Sequence, residues 1–222
     1  MDDPALEPAP HADALKALAR INWLSGSDRI LWKPLRTLAR SVHGRTLRVL
    51  DVATGGGDVP IRLWQRALNA GLSLEFHGTD VSSTALRVAE EQSRAAGAPI
   101  LFFRTDVHSD GLPGGFDVIM CSLFLHHLSN EQALVILQKM RQSAGHMVLV
   151  NDLRRSVAGL FLAWMGTRVL TKSPVARVDG PLSVRAAFTT SEVRALAAKA
   201  GMANAEVRRR WPCRFLLTWR RV

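Results

Sequence analysis

Residues 48–59 read RVLDVATGGGDV, and this run constrains the fold more than any other part of the 222-residue chain. An apolar strand closing on Asp51 passes directly into three glycines, Gly55, Gly56 and Gly57. Asp58 and Pro60 follow where a helix is expected to start. Glycine permits the sharp turn and lets a ligand come against the backbone with no Cβ in the way. Pro60 suits a first helical turn, where its missing N–H is no loss. Strand, glycine turn and helix in succession predict a nucleotide-type binding loop.

The surrounding residues narrow the ligand. A dinucleotide loop wants G-x-G-x-x-G with pyrophosphate on the helix N-terminus. Gly55 and Gly57 fill its first two places, but Pro60 stands in the third. Asp58 sets a negative charge at the helix entrance, which repels a phosphate and suits a positive amino group. A P-loop is excluded, since no Lys-Ser or Lys-Thr follows the glycines. S-adenosylmethionine, with an ammonium, a sulfonium and a ribose but no phosphate, fits these residues.

With those residues in place, the chain resembles the class I S-adenosylmethionine-dependent methyltransferases, whose loop reads D/E-x-G-x-G-x-G. Here it stands as Asp51-Val-Ala53-Thr54-Gly55-Gly-Gly57, with Ala53 in place of the first glycine. GTDVS, Gly78 to Ser82, resembles the end of the second strand. Its Asp80 lies 23 residues past Gly57, about the spacing at which an acidic side chain holds a ribose diol. TDV, Thr105 to Val107, resembles the end of the third strand, which implies that Asp106 and Val107 border the adenine. FDVIMCSLFLHHL, Phe116 to Leu128, resembles the fourth strand and its loop. The implied cofactor contacts are Asp51, Ala53, Thr54, Gly55, Gly57, Asp58, Asp80, Val81, Asp106, Val107 and Ser122, with S-adenosylhomocysteine as product.

Strand-like and helical runs alternate. Strands are expected at 46–52, 72–78, 100–104, 116–121 and 147–151, and helices at 60–70, 83–96 and 130–144. Gly71, Gly97 and Gly145 are read as stops for these helices. Ser129 with Gln132, and Thr189 with Glu192, form capping boxes for the third helix and for a last one. Residues 205–211 and 214–221 form a terminal hairpin around Pro212. Alternation predicts a mostly parallel sheet with helices on both faces. The resemblance implies a Rossmann-like seven-stranded sheet of order 3-2-1-4-5-7-6 with an N-terminal helical cap. Residues 1–43 then form a disordered tail and the cap, and 44–222 the methyltransferase domain. The cap, with Trp23, Leu24, Ile30, Leu31, Trp32 and Leu35 as its apolar set, either packs on the sheet or closes over the ligands. The insert 154–188, with Leu160, Phe161, Leu162, Trp164 and Met165, either lines an acceptor pocket or roofs the core.

A sulfonium is already an activated methyl donor, so the protein has to align an acceptor and exclude water. A base helps where the acceptor carries a proton. Ligands in open α/β sheets sit beyond the carboxyl ends of the strands, which makes His126 and His127 the candidate bases. Their bland role is to hold the loop by packing and hydrogen bonds. Asn151, Arg154 and Arg185 are candidate acceptor contacts, because arginines suit a phenolate, carboxylate or phosphate. Paired with surface carboxylates, the arginines would have no such role. No metal is expected.

Charge raises an alternative. The 29 basic and 19 acidic residues leave a net +10, and Arg208, Arg209, Arg210, Arg214, Arg220 and Arg221 cluster in the hairpin. A basic stripe suits RNA or an anionic membrane surface. Against RNA, the N-P-P-[YFW] signature of base-amino methyltransferases is missing and CSLF stands in its place. The longest apolar run, 157–170, contains Arg168 and is too short to span a bilayer. Two cysteines and an acidic, proline-rich N-terminus predict a reduced, cytoplasmic protein. The sequence reading is an enzyme, monomeric or homodimeric, transferring methyl to a small aromatic, phenolic, quinone or polyketide-derived acceptor. O-methylation comes first and C-methylation close behind. RNA methylation is the alternative, and a cofactor-binding subunit without catalysis is the non-enzymatic rival.

Overall fold

A computed structural model describes residues 26–42, 44–170 and 174–221. Its centre is a seven-stranded sheet: β1 (Leu47–Val52), β2 (Leu74–Asp80), β3 (Leu101–Arg104), β4 (Phe116–Ser122), β5 (Ala144–Leu153), β6 (Glu206–Arg210) and β7 (Arg214–Arg220). The order is β3-β2-β1-β4-β5-β7-β6, as the resemblance implied. All pairings are parallel except those of β7, which runs antiparallel to both β5 and β6. The central strands β1 and β4 are buried on both faces, which is why they read as near-continuous apolar runs.

Eight helical segments accompany the sheet among the described residues. They are α1 (Ser27–Ser41), α2 (Asp58–Asn69), α3 (Ser83–Ala95), a 3-10 turn (Leu125–His127), α4 (Asn130–Ser143), α5 (Val157–Leu170), α6 (Pro174–Ala186) and α7 (Thr190–Lys199). One face of the sheet, with Ile119, Cys121, Val148, Val150 and Leu217, is covered by Ile136, Leu137 and Met140 of α4 and Val193 and Ala197 of α7. The other face, with Val49, Val118, Met120 and Leu149, is covered by Leu31 and Leu35 of α1 and Val59 and Leu63 of α2. Both capping boxes form, at Ser129–Gln132 and Thr189–Glu192. No helix among the described residues is long and apolar enough to cross a membrane.

Several expectations are corrected. Gly71 and Gly97 do end their helices in the left-handed region, with φ +62° and +64°, but Gly145 lies inside β5. The chain passes from α4 straight into that strand, and a Cβ on Gly145 would stand 3.1 Å from the Phe116 carbonyl oxygen. Glycine therefore permits close strand approach beside a register shift between Phe116 and Val118. β5 is twice as long as expected, β2 runs on to Asp80, and α2 starts at Asp58, so Pro60 is still in its first turn.

The described part of the N-terminal region, α1, packs on the sheet. Leu31 and Leu35 are fully buried, Asp28 pairs with Arg66 of α2 at 2.6 Å, and Ser27 Oγ accepts a 2.6 Å hydrogen bond from Arg214. Trp23, Leu24 and the expected disordered tail lie outside the described residues. Leu31→Ala is expected to cost about 2–5 kcal/mol in urea unfolding. A loss under about 1 kcal/mol would mean that α1 is only loosely attached.

Candidate active site

The carboxyl ends of β1, β2, β4 and β5 meet along one edge, and most of the predicted residues stand there. Asp51 is 2% exposed, and its Oδ2 accepts a 2.8 Å hydrogen bond from Thr54 Oγ1. Its Oδ1 is buried with no hydrogen-bond partner among the described residues. Burial, and then the nearby Asp58 and Asp80 carboxylates, push the Asp51 carboxyl up to about 8, against the pull of Thr54. Ala53, where the family has glycine, has φ +54°, a left-handed conformation that glycine adopts without strain. Gly57 has φ +75° and is packed so closely that a Cβ would lie 3.0 Å from both Ala89 and Phe102.

Asp80 closes the turn. Its Oδ2 accepts 2.9 Å from the Gly55 N–H and its Oδ1 accepts 2.9 Å from the Ser82 N–H. The residue next to it, Val81, is 57% exposed. Asp106 follows β3, where the His108 N–H donates to it at 2.8 Å. That bond, against slight burial, holds its carboxyl below the usual range. Val107 is buried. Asp51, Asp58 and Asp80 thus surround one glycine turn at the mouth of α2, a setting for a cation and not for a phosphate.

Across the sheet, Ser122 ends β4 beside Asn151 of β5, with Asn151 Nδ2 donating to Ser122 Oγ at 2.9 Å. The adjacent Asp152, absent from the sequence-derived site, is fully buried. Its Oδ1 lies 2.6 Å from His126 Nδ1, and its Oδ2 accepts from the Phe124 and His126 N–H groups at 3.1 and 3.3 Å. Burial raises the Asp152 carboxyl, but the His126 imidazole and these hydrogen bonds outweigh it and hold it below the ordinary value. An ionised Asp152 only accepts, so Nδ1 carries a proton, and in the neutral imidazole Nε2 is then the basic nitrogen. The two histidines therefore differ. His126 is buried and oriented by a carboxylate, whereas His127 is exposed, its ring 4.1 Å from that of His126.

The arginines divide. Arg154 is half-buried just past β5, and its Nε is buried with no hydrogen-bond partner among the described residues. Arg185 is exposed in the last turn of α6, and Arg155 pairs with Glu192. The hairpin arginines divide too, with Arg209 and Arg220 exposed. Arg214 is buried, Arg221 donates to the Arg141 and Ala144 carbonyls, and Arg208 pairs with Glu206. Burial lowers Arg214 to about 10, against support from Asp152 and Asp58. The insert is split: Val184, Ala187 and Phe188 are buried, with Phe188 in the core, whereas Phe161, Leu162, Trp164 and Met165 are 39–58% exposed.

A model of the methyltransferase domain matches residues 49–144, from β1 through α4. With the strand order and the acid-lined turn, that match makes residues 49–144 a methyltransferase domain of the class I S-adenosylmethionine-dependent type. It is 28% identical over 134 residues to a ubiquinone biosynthesis O-methyltransferase of Methylococcus capsulatus, covering 60% of this chain and 53% of that one. A ubiquinone biosynthesis O-methyltransferase of Ralstonia nicotianae is 30% identical, over 72% of this chain and 65% of its own. A demethylmenaquinone methyltransferase of Thermus thermophilus is 29% identical, over 65% and 62%. The chain thus spans between half and two thirds of the length of these curated relatives.

Solved structures share the fold. An O-methyltransferase from neocarzinostatin biosynthesis, in complex with S-adenosylhomocysteine and 1,4-dihydroxy-2-naphthoic acid, superposes with a TM-score of 0.68 at 19% identity, covering 96% of this chain and 58% of that one. A magnesium protoporphyrin IX methyltransferase of Synechocystis superposes with a TM-score of 0.62 at 18% identity, covering 89% and 84%.

The raised Asp51 carboxyl has a sign that can be measured. A proton held more tightly in the folded state lowers stability as pH rises from about 4 towards 8. A bound ammonium favours the ionised form, so ligand binding releases that proton and affinity rises with pH up to about 8. Calorimetry of S-adenosylhomocysteine binding at neutral pH, in two buffers of different ionisation enthalpy, is expected to show release approaching about one proton. No release, or uptake, would contradict the arrangement.

Proposed function

We propose that the chain transfers the methyl group of S-adenosylmethionine to a hydroxyl of a small aromatic acceptor of phenol or quinol type. The observation that carries the reading is the buried Asp152–His126 pair beside the acid-lined turn. A phenolic oxygen must lose its proton as it attacks the methyl group, and an imidazole fixed through Nδ1 presents Nε2 to take it. The names of the relatives support the acceptor class. A base serves a ring carbon that loses its proton as well as a hydroxyl, so it is the likeness to O-methyltransferases that puts oxygen first.

The cofactor roles follow the turn. Asp51 and Asp58 set negative potential around the ammonium, Asp80 takes the ribose, and Val81, Asp106 and Val107 border the adenine. S-adenosylmethionine supplies the activated methyl group when bound. Ser122 and Asn151 line the cofactor's side of the acceptor space, with Arg154 towards an acidic group on the ring. Arg185 and His127 are secondary candidates, since both are exposed. Against RNA as acceptor, three of the six hairpin arginines, Arg208, Arg214 and Arg221, are buried or bonded within the chain.

Methyl-labelled S-adenosylmethionine offered with a host-cell extract is expected to label the organic-soluble fraction; label in RNA would overturn the reading. His126→Gln is expected to lower turnover by about 10²-fold or more while S-adenosylhomocysteine affinity stays within about twofold. Near wild-type turnover would leave His126 only as a support of its loop.

A further inference from the structure

We propose that α5, α6 and the β6–β7 turn form a docking face for an anionic lipid bilayer. Charge is the first argument. Residues 153–222 hold fourteen of the 29 Lys and Arg but only three of the 19 Asp and Glu, a net +11, while residues 1–152 balance fifteen against sixteen, a net −1. The whole excess therefore belongs to the part of the chain that contains these helices. Burial of Arg214 and the internal pairing of a few others reduce the excess without reversing it. On the two helices, Arg168, Arg177 and Arg185 are exposed.

The second argument is apolar surface. From Val157 to Thr167 the helix α5 carries no charged residue, and a helix hydrophobic on all sides is normally buried. Here it is not. Val157 is 87% exposed, Phe161 58%, Trp164 47%, Met165 42% and Leu182 of α6 51%. Trp211, in the β6–β7 turn, is 80% exposed. These pieces adjoin one another: a Cβ on Gly159 of α5 would lie 3.2 Å from Cys213 Cβ of that turn and 3.3 Å from Val184 of α6. The Arg168 guanidinium stacks 4.1 Å from the Trp164 ring.

Exposed tryptophans and aliphatics rimmed by arginine are the composition that lies at a membrane–water boundary. The rings and aliphatic chains enter the interfacial layer and the guanidinium groups meet lipid phosphates. An RNA would use the charge but leave the aliphatic residues uncovered. A bilayer uses both. α6 packs on the His126 turn, so the face borders the acceptor space. This deepens the aromatic-acceptor reading, because an apolar acceptor dissolved in the bilayer is then delivered at the site, though the surface argument stands without it.

The test is flotation of the full chain with vesicles of phosphatidylcholine alone and of an equimolar phosphatidylcholine–phosphatidylglycerol mixture, at low and high salt. Partition is expected to be roughly tenfold or more stronger on the anionic vesicles, and to weaken with salt. Phe161→Glu with Trp211→Glu is expected to reduce it by roughly tenfold or more. A thermal melt and S-adenosylhomocysteine affinity like those of the wild type show that the variant is folded. Equal flotation of wild type and variant, or none by either, overturns the proposal. So does a dimer that does not float, or salt-dependent binding to a homopolymeric RNA without flotation. No acceptor enters the assay, so its failure is distinct from failure to methylate an aromatic.

Discussion

A turn ringed by carboxylates sets what this protein can hold. Asp51 ends β1, Asp58 opens α2 and Asp80 ends β2, and the Gly55 N–H joins the turn to Asp80 at 2.9 Å. Burying a charge there is costly, which is why burial, joined by the Asp58 and Asp80 carboxylates, drives Asp51 towards its neutral form. A cation relieves that cost and a phosphate increases it. The parallel order of the sheet serves this arrangement by bringing the carboxyl ends of β1, β2 and β4 to one edge, with β5 beside them.

The second polar cluster stands on the β5 side. Asp152 is fully buried, and its hydrogen bonds fix both the backbone after β4 and the His126 ring. One carboxylate thereby shapes the loop and sets the tautomer of the imidazole. The glycine turn and the His126 loop are separate sequence motifs, each bonded to a carboxylate 25 or 26 residues further along the chain, and the sheet register brings them beside each other, as at Ser122 and Asn151.

Much of this was legible in the sequence. Buried parallel strands write themselves as apolar runs, the glycine turn follows from the need for positive φ and close approach, and the capping boxes state their own geometry. Other features were hidden because they depend on contacts distant along the chain. Gly145 looked like a helix stop, and its role emerges only from the Phe116 carbonyl beside it. Asp152 pairs with a histidine 26 residues earlier. Arg214 looked like one more member of a basic stripe, whereas it is buried against Ser27, 187 residues away. The apolar run of α5 read as a pocket lining or a roof over the core, and its exposure is a property of the assembled surface that composition does not reveal.

The central claim is that the acid-lined turn selects a nucleoside bearing an ammonium group over a dinucleotide phosphate. Parallel calorimetric titrations with S-adenosylhomocysteine and with NAD test it most directly. The account predicts saturable binding of S-adenosylhomocysteine and none of NAD under the same conditions. Binding of NAD as tight as that of S-adenosylhomocysteine, or no binding of S-adenosylhomocysteine, would contradict it.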